Sequence, residues 1–279
     1  MRPEVLEEIE IEIVVDTIRR RWGIDFSGYK RDSLSRQLHR AATELGVRRL
    51  SSLVERLVYE ETFSESFVSQ LFVSVTSFFR DPDFFRTLAN VVLPELAAYP
   101  RPKIWHAGCA TGEEVYSLAF LLDEAGLLQR STIYATDINM RALRIGRTGA
   151  YPLESIAAAE DNYRAVRGPG SLDDYFVTSG GPMGLVCSRV RDAITWSAHD
   201  LTSDGIFAEV DLVLCRNTLI YFGPELRAGV VRRFRDTLSP LGYLALGASE
   251  SLDTVASDSQ FRTVDAAQRI YQRSKGALR

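Results

Sequence analysis

The sequence predicts an α/β fold in which a sheet covered by helices on both faces follows an all-α N-terminal domain. The first 75 residues place apolar side chains at helical spacing and show no strand pattern. Beyond about residue 100, short apolar runs alternate with helix-like segments. Residues 151–196 interrupt that alternation with Gly-Gly-Pro punctuation. We therefore expect a helical domain over 1–80, an α/β domain over 81–279 and a small antiparallel β insertion over about 152–195.

The individual elements follow from the same patterns. In the first domain, the helix in RDSLSRQLHRAATELG is followed by two more, over about 51–59 and 64–73, for which Ser51 and Ser64 are candidate N-caps. In the second domain, apolar runs predict strands at 103–107, 131–138, 210–217, 242–249 and 268–274.

The composition is typical of a water-soluble globular protein, with 46% hydrophobic and 25% charged residues. No apolar run approaches the length that crosses a bilayer, so no membrane insertion is expected. The acidic start, MRPEVLEEIEIEIVV, does not resemble a secretory signal, which predicts a cytoplasmic protein. Three distant cysteines and three histidines without ligand spacing predict neither a disulfide framework nor a metal site.

The net charge of −4 conceals a local asymmetry. Residues 1–16 hold six acids and one arginine, whereas residues 17–49 hold nine basic residues against three acids, a net of +6. Arg36 and Arg40 lie four apart, off the apolar face of their helix. Such a surface favours an acidic partner, and the alternative is a solvated charged face. Nucleic acid is not expected, because no aromatic or nucleic-acid motif accompanies the charge.

Polar groups and glycines follow the predicted strands. The first strand runs into Gly108 and Gly112 and then directly into a helix, which lets a ligand approach backbone N–H groups. This spacing is neither the dinucleotide fingerprint nor a P-loop, and a tight connection without a ligand is the alternative. Asp137 ends the second strand, where an acid can bind ribose hydroxyls or cap the next helix. Arg216 and Asn217 end the third strand, at the edge where α/β sheets bind ligands.

Five stretches follow one another along the chain: TSFFRDPDFF, WHAGCATGEEVYSLA, YATDINMRAL, DLVLCRNTLIYF and LGYLALGASESL. Together they resemble the successive motifs of CheR-type methyltransferases, which transfer methyl from S-adenosylmethionine to glutamates of chemotaxis receptors and leave S-adenosylhomocysteine. The resemblance covers most of the chain, including the basic helical domain. It implies a Rossmann-like S-adenosylmethionine-dependent methyltransferase sheet and a protein-glutamate O-methyltransferase activity.

The resemblance also implies roles for individual residues. Asp137 would bind the ribose, Asp200 and Leu201 would lie beside the adenine, and Arg80 and Tyr221 would orient the reacting groups. The implied cofactor site comprises Ser74, Thr76, Arg80, Glu114, Asp137, Asp200, Leu201, Arg216 and Asn217. Four positions depart from the family's pattern: Ser74 and Asp200 replace the usual asparagines, Val115 replaces the usual proline and His106 replaces a small residue. From the residues alone, each of three residues also has an interpretation without a functional role. Glu114 suits the first turn of a helix because of its charge, Tyr221 suits a packed aromatic side chain and His106 suits a packed strand residue.

The partners implied by the resemblance are acidic methylation helices of chemotaxis receptors, docked by Arg31, Arg36 and Arg40. In some family members the small sheet also binds the receptor's C-terminal tail. Two other functions stay open: a carboxyl methyltransferase acting on a non-chemotaxis protein, and an S-adenosylmethionine-binding regulatory module.

The stretch VTSFFRDP raises an electrostatic question. A cation beside a sulfonium would repel it, so Arg80 is expected to face a carboxylate, either that of the cofactor or that of the incoming glutamate. Phe78 and Phe79 are expected to pack the junction between the two domains and to fix the backbone that carries Arg80.

Overall fold

The computed structural model describes residues 2–72, 76–167, 171–252 and 260–275. The chain divides into two compact units, Met1–Val73 with Tyr221–Arg227, and Ser74–Ile220 with Ala228–Arg279. We call the first the helical unit and the second the sheet unit. The sequence placed the boundary at residue 80, but Phe78 and Phe79 are already buried in the core of the sheet unit.

Within its described residues, the helical unit packs four complete helices around one apolar core. Pro3 begins the first helix, where its missing N–H costs nothing, and Gly23 ends it in the left-handed conformation with φ 73°. Among the fully buried side chains are Ile18, Leu38 and Phe67. The helices are α1 (Pro3–Trp22), α2 (Arg31–Glu44), α3 (Leu53–Tyr59) and α4 (Glu61–Leu71).

The two predicted serine N-caps are wrong. Ser51 lies in a 3₁₀ turn before α3, and its hydroxyl donates to the Glu10 carboxylate. Ser64 lies inside α4 and donates to the carbonyls of Glu60 and Glu61 at 2.7 and 2.8 Å. A serine within a helix can satisfy its hydroxyl on the preceding turn, so its presence alone does not locate a helix start.

The sheet unit contains a seven-stranded sheet in the order β6-β2-β1-β7-β8-β10-β9. The first five strands in that order are parallel, and β10 runs antiparallel to both β8 and β9. Its strands are β1 (Lys103–Ala107), β2 (Thr132–Asp137), β6 (Ile194–Ala198), β7 (Val210–Cys215), β8 (Leu238–Leu246), β9 (Phe261–Asp265) and β10 (Ile270–Arg273).

The strand order confirms the predicted Rossmann-like α/β fold. From β1 the chain proceeds to β2 and β6 on one side and then returns to place β7 and β8 on the other. Ligands bind α/β sheets at such a reversal, outside the carboxyl ends of the strands. The helices of this unit are α5 (Pro82–Thr87), α6 (Leu93–Leu96), α7 (Glu113–Glu124), α8 (Met140–Thr148), α9 (Leu153–Arg167), α10 (Ser188–Arg191) and α11 (Pro224–Thr237), which continues from the helical unit.

The insertion is a three-stranded antiparallel sheet, as predicted. Its order is β3 (Ala150–Pro152), β5 (Met183–Val186) and β4 (Phe176–Thr178), and α9 lies between β3 and β4 in sequence. The sequence did not predict that β6, at the end of this stretch, belongs to the main sheet. Trp196 pairs with Ala135 of β2 there. The five residues of β6 carry no sequence signal for this long-range pairing.

Phe78 and Phe79 lie in the core of the sheet unit. Phe78 contacts Tyr151 and Phe176 edge-on, and Phe79 contacts Phe85 in the same way. The Phe79 N–H also donates to the Ser117 hydroxyl at 2.9 Å. The prediction that they pack a junction between domains is therefore wrong: both belong to the core of the sheet unit, where they fix the backbone immediately before Arg80.

Candidate functional site

The turn after β1 is held in an unusual backbone conformation. Gly108, Ala110 and Gly112 all have positive φ, at 78°, 49° and 93°. The Gly108 N–H donates to the Thr136 carbonyl at 2.9 Å, which ties the turn to β2. A Cβ on Gly112 would lie 2.5 Å from the Trp196 ring, so no side chain fits. The result is a fixed turn that presents the N-terminus of α7 at the sheet edge.

Asp137 locks this turn from the end of β2. Its carboxylate accepts the N–H groups of Ala110 and Asn139, each at 2.8 Å. Burial raises the pKa of Asp137, and the backbone hydrogen bonds oppose that shift. Because a carboxylate has about four lone-pair directions, Asp137 retains acceptors for hydroxyl groups of a ligand. The N-cap of α8 is Asn139, which accepts from Arg141 and Ala142, so the alternative of Asp137 as that cap is wrong.

Arg216 forms the most enclosed ion cluster of the site. Its side chain is 2% exposed, and its guanidinium donates to Glu114 at 2.7 Å and to Asp81 at 2.5 Å. The guanidinium carbon lies 3.9 Å from the centroid of the Phe84 ring, which adds a cation–π contact. Asp81 was not predicted, because its partner is distant in sequence. Two carboxylates on one guanidinium make this cluster net negative, so Arg216 presents no free positive charge to a sulfonium.

Three predicted site residues, Ser74, Thr76 and Arg80, precede α5, and the structure describes two of them. Ser74 lies outside the described residues. Thr76 and Arg80 are half-buried. Within the parts of the chain that the structure describes, no side chain forms an ion pair or hydrogen bond with Arg80. Arg80 is thus the cation of this segment that is available to a carboxylate of a ligand, whereas the neighbouring Asp81 is already held by Arg216.

Asp200 and Leu201 follow β6 at the same edge of the sheet. The Asp200 carboxylate accepts the N–H and the hydroxyl of Thr202, at 2.8 and 2.7 Å. It therefore closes a local turn, which an asparagine oxygen in its place could also do. Leu201 is buried, and its carbonyl accepts from Arg233 at 2.6 Å. This turn positions both residues through their backbone.

Asn217 and Tyr221 both lie in the segment that follows β7, but they belong to different units. Asn217 has φ 59°, and its N–H donates to the Glu250 carboxylate at 2.9 Å. Tyr221 belongs to the helical unit, where its carbonyl accepts the Lys30 N–H at 2.9 Å. The predicted role of Tyr221 at the reacting atoms stays a prediction. Glu250 was missed by sequence reasoning, although an acid soon after an apolar strand was its one signal.

His106 is a packed strand residue. It lies on β1 between Ala135 and Leu214 of the adjacent strands, with 2% of its surface exposed. Burial, and then the nearby Arg216, lowers the pKa of His106 to about 3. The imidazole is therefore neutral in the folded protein at neutral pH.

His106 should make the stability of the protein depend on pH. Unfolded chains take up a proton on this histidine below a pKa of about 6.5, but the folded protein does so only near about 3. Stability should therefore fall as pH is lowered through that window, by up to about 1.4 kcal/mol per pH unit. His106→Leu should flatten this part of the curve, measured as the free energy of urea unfolding against pH. Parallel curves for the two proteins would contradict the assignment.

The predicted docking arginines are only partly free. Arg31 lies 3.6 Å from Glu8 and 3.9 Å from Glu12 of α1, and Arg40 donates to the Gln70 carbonyl at 2.8 Å. Arg36 donates to the Ser33 hydroxyl at 3.2 Å and, among the described side chains, forms no ion pair. The acidic and basic segments of the sequence thus partly neutralise each other, and Arg36 is the one of the three that forms no ion pair among the described side chains.

The residues at the carboxyl edge of the sheet fit S-adenosylmethionine. Asp137 has lone pairs for ribose hydroxyls, and Arg80 suits a carboxylate. The net-negative cluster around Arg216 suits a ligand that carries an ammonium and a sulfonium. The Nε of Arg216 is buried and has no partner in the described structure, which leaves a donor at this edge for a ligand atom. No cluster of His, Cys, Asp or Glu suited to a metal occurs among the described residues.

Comparisons with known proteins give matches over both units. The family described as "CheR methyltransferase, all-alpha domain" matches residues 9–73, and "CheR methyltransferase, SAM binding domain" matches residues 74–270. Chemotaxis protein methyltransferase 1 of Pseudomonas aeruginosa is 32% identical over 91% of this chain and 93% of its own. The Cher3 protein of Pseudomonas putida is 37% identical over 98% of this chain and 100% of its own. A solved magnesium protoporphyrin IX methyltransferase from Synechocystis covers 80% of this chain and 96% of its own at 14% identity, with a TM-score of 0.38, too low for comparing residues.

Proposed function

The chain belongs to the CheR methyltransferase family, and on that premise we propose that it methylates glutamate side chains of methyl-accepting chemotaxis receptors. The products would be glutamate methyl esters, which serve sensory adaptation, and S-adenosylhomocysteine. The observation that carries the proposal is the match of both units to this family, together with the 32% identity to a chemotaxis protein methyltransferase over 91% of this chain. Arg80 supports it as a half-buried cation that pairs with no acid among the described residues and that we assign to a carboxylate.

The reaction asks little acid–base chemistry of the protein. S-adenosylmethionine supplies a methyl group already activated on a positively charged sulfur. A glutamate side chain is ionised at neutral pH, since its ordinary pKa is about 4.3, so no general base is needed. The chain's own residues therefore have to align the groups and exclude water. We assign Arg80 and Tyr221 to that alignment.

The other site residues would hold the cofactor. Asp137 would accept its ribose hydroxyls, and Asp200 and Leu201 would border its adenine. Asp81 and Glu114 both contact Arg216, and this net-negative cluster would face the positively charged end of the cofactor. Arg80 is aimed at a carboxylate, and we propose the cofactor's own carboxylate first and the incoming glutamate second.

The test of the proposed activity is to incubate the full chain with methyl-labelled S-adenosylmethionine and receptor methylation fragments, and to map base-labile esters. We expect labelled glutamates in wild-type reactions, and strongly reduced labelling with Arg80→Ala and Tyr221→Phe. The matched controls are Arg232→Ala and Tyr59→Phe, since both residues are exposed. Full activity of Arg80→Ala and Tyr221→Phe would contradict their roles. Esters found only on an unrelated protein would favour a carboxyl methyltransferase with a non-chemotaxis substrate. Cofactor binding without any methyl transfer would favour a regulatory module.

Docking on acidic receptor helices should depend on Arg36. Because Arg36 is exposed and forms no ion pair among the described residues, Arg36→Glu should weaken binding to an acidic receptor fragment by about tenfold at low salt. Added salt should weaken the wild-type complex as well, because exposed charges are screened. The measurement is fluorescence anisotropy of a labelled fragment at two ionic strengths, with Arg232→Glu as the control. Salt-independent binding would contradict electrostatic docking.

Two further parts of the proposal concern the receptor. The small sheet formed by β3, β5 and β4 would offer an edge strand for the receptor's C-terminal tail. A cytoplasmic location would follow from the same substrate. Within the described residues, the structure contains no helix with the length and apolar character of a membrane span.

A further inference from the structure

Glu250 is a buried acid at the turn that follows β8, with 2% of its surface exposed. Its side chain points back to the sheet edge. One oxygen accepts the N–H groups of Gly247 and Asn217 at 2.6 and 2.9 Å, and the other accepts the Ile220 N–H at 3.2 Å. A single carboxylate therefore connects the segment after β7 with the segment after β8.

This connection fixes a left-handed turn of the backbone. Asn217 has φ 59°, a conformation that asparagine tolerates better than most residues other than glycine. A carboxylate is the side chain suited to the position, because it only accepts hydrogen bonds and can take several N–H groups at once. Burial raises the pKa of Glu250, and the backbone N–H groups oppose that shift by favouring the ionised form.

Gly247 completes the same arrangement. A Cβ at this position would lie 2.8 Å from the Asn217 nitrogen and 2.8 Å from a Glu250 carboxylate oxygen. No side chain can therefore be added without moving the segment after β7. Cys215 and Leu246 are paired across β7 and β8, so the two segments leave the sheet side by side.

We infer that Glu250 is a positioning residue: it fixes the backbone that carries Arg216 and Asn217, and through it the Asp81–Arg216–Glu114 cluster. Glu250 forms no hydrogen bond or ion pair with the three charged side chains in the described structure, so it would act through the backbone. The inference rests on the assignment of Arg216 and Asn217 to the cofactor site, as proposed above.

The experiment is calorimetric titration of S-adenosylhomocysteine into the full chain and its variants. Glu250→Gln removes one acceptor and turns an amide donor towards backbone N–H groups, so affinity should fall by about tenfold. Gly247→Ala disturbs the same segment from the other side and should act in the same direction. The matched control is Asp211→Asn, a buried acid at the start of β7 that accepts from Lys103 and Ser239 at 2.9 and 2.7 Å.

The comparison separates positioning from general stabilisation. Asp211→Asn should lower the melting temperature yet keep the affinity within about twofold, because it lies at the opposite edge of the sheet. Wild-type affinity in Glu250→Gln, or an equal loss of affinity in Asp211→Asn, would overturn the inference. If Glu250→Gln does not fold, Gly247→Ala decides: wild-type affinity overturns the inference and weaker binding supports it. No receptor fragment is used, so failure of the glutamate substrate proposal would leave this result unaffected.

Discussion

Arg216→Ala is expected to lower the free energy of unfolding by about 3 kcal/mol and to abolish detectable methyl transfer. The substitution leaves Asp81 and Glu114 facing each other without the cation that joins them. Glu114 is enclosed, so water replaces the lost partner poorly, whereas Asp81 is about half exposed and is compensated more easily. Arg216→Lys should recover only part of the loss, since an ammonium cannot bridge two carboxylates as a guanidinium does.

Urea unfolding measures the loss of stability, and the assay with methyl-labelled S-adenosylmethionine measures the loss of methyl transfer. The control is Arg19→Ala, which removes an exposed ion pair with Asp16 on α1 and should change stability by less than about 1 kcal/mol. Adding Asp81→Asn to Arg216→Ala should recover part of the stability, because it removes one of the two facing acids. Equal stability losses in Arg216→Ala and Arg19→Ala would contradict the buried cluster.

Asp137→Asn is expected to weaken S-adenosylhomocysteine binding by about tenfold to a hundredfold. The amide keeps one acceptor oxygen but turns a donor towards the N–H of Ala110 or Asn139, each of which now lies 2.8 Å from a carboxylate oxygen. The glycine turn and the ribose acceptors are therefore disturbed together.

Calorimetric titration at several pH values tests the assignment of Asp137. Since burial raises the pKa of Asp137, wild-type affinity should begin to fall on acidification at a higher pH than an exposed aspartate would give, and Asp137→Asn should lack that dependence. Asp123→Asn is the control, because Asp123 accepts from Arg189 at 3.1 Å on α7, away from the glycine turn. Unchanged affinity in Asp137→Asn would contradict ribose binding by this residue.

Much of the fold could be predicted because its signals are local. The alternation of apolar strands with helices predicted β1, β2 and β7 within one or two residues, and the Gly-Gly-Pro punctuation predicted the inserted sheet. Long-range pairing carries no such signal. The five-residue β6 joins the main sheet only through its pairing with β2, and Ser64 satisfied its hydroxyl on a preceding turn rather than at a helix start.

The charged groups show the same difference. The sequence drew attention to Arg80 as a cation that needs a carboxylate, and it placed Arg216 among the cofactor residues. It did not predict that Arg216 holds Asp81, the residue directly after Arg80, or that Glu114 shares the same guanidinium. The basic face of α2 is also partly neutralised by the acids of α1, a pairing that charge counts by segment do not reveal.

By itself, the sequence determined the helical and α/β parts of the architecture, the family and several polar residues at strand ends, because these depend on local periodicity and on contiguous motifs. Only the tertiary structure decided which charges pair with each other, which acids bind backbone N–H groups and which cation is left for a ligand. The physical reason is that buried ion pairs and carboxylate–backbone hydrogen bonds act over a few ångströms between residues far apart in the chain. Two contacts illustrate this: Arg216 donates to Asp81, and the Asn217 N–H donates to Glu250, in each case between residues far apart in the sequence.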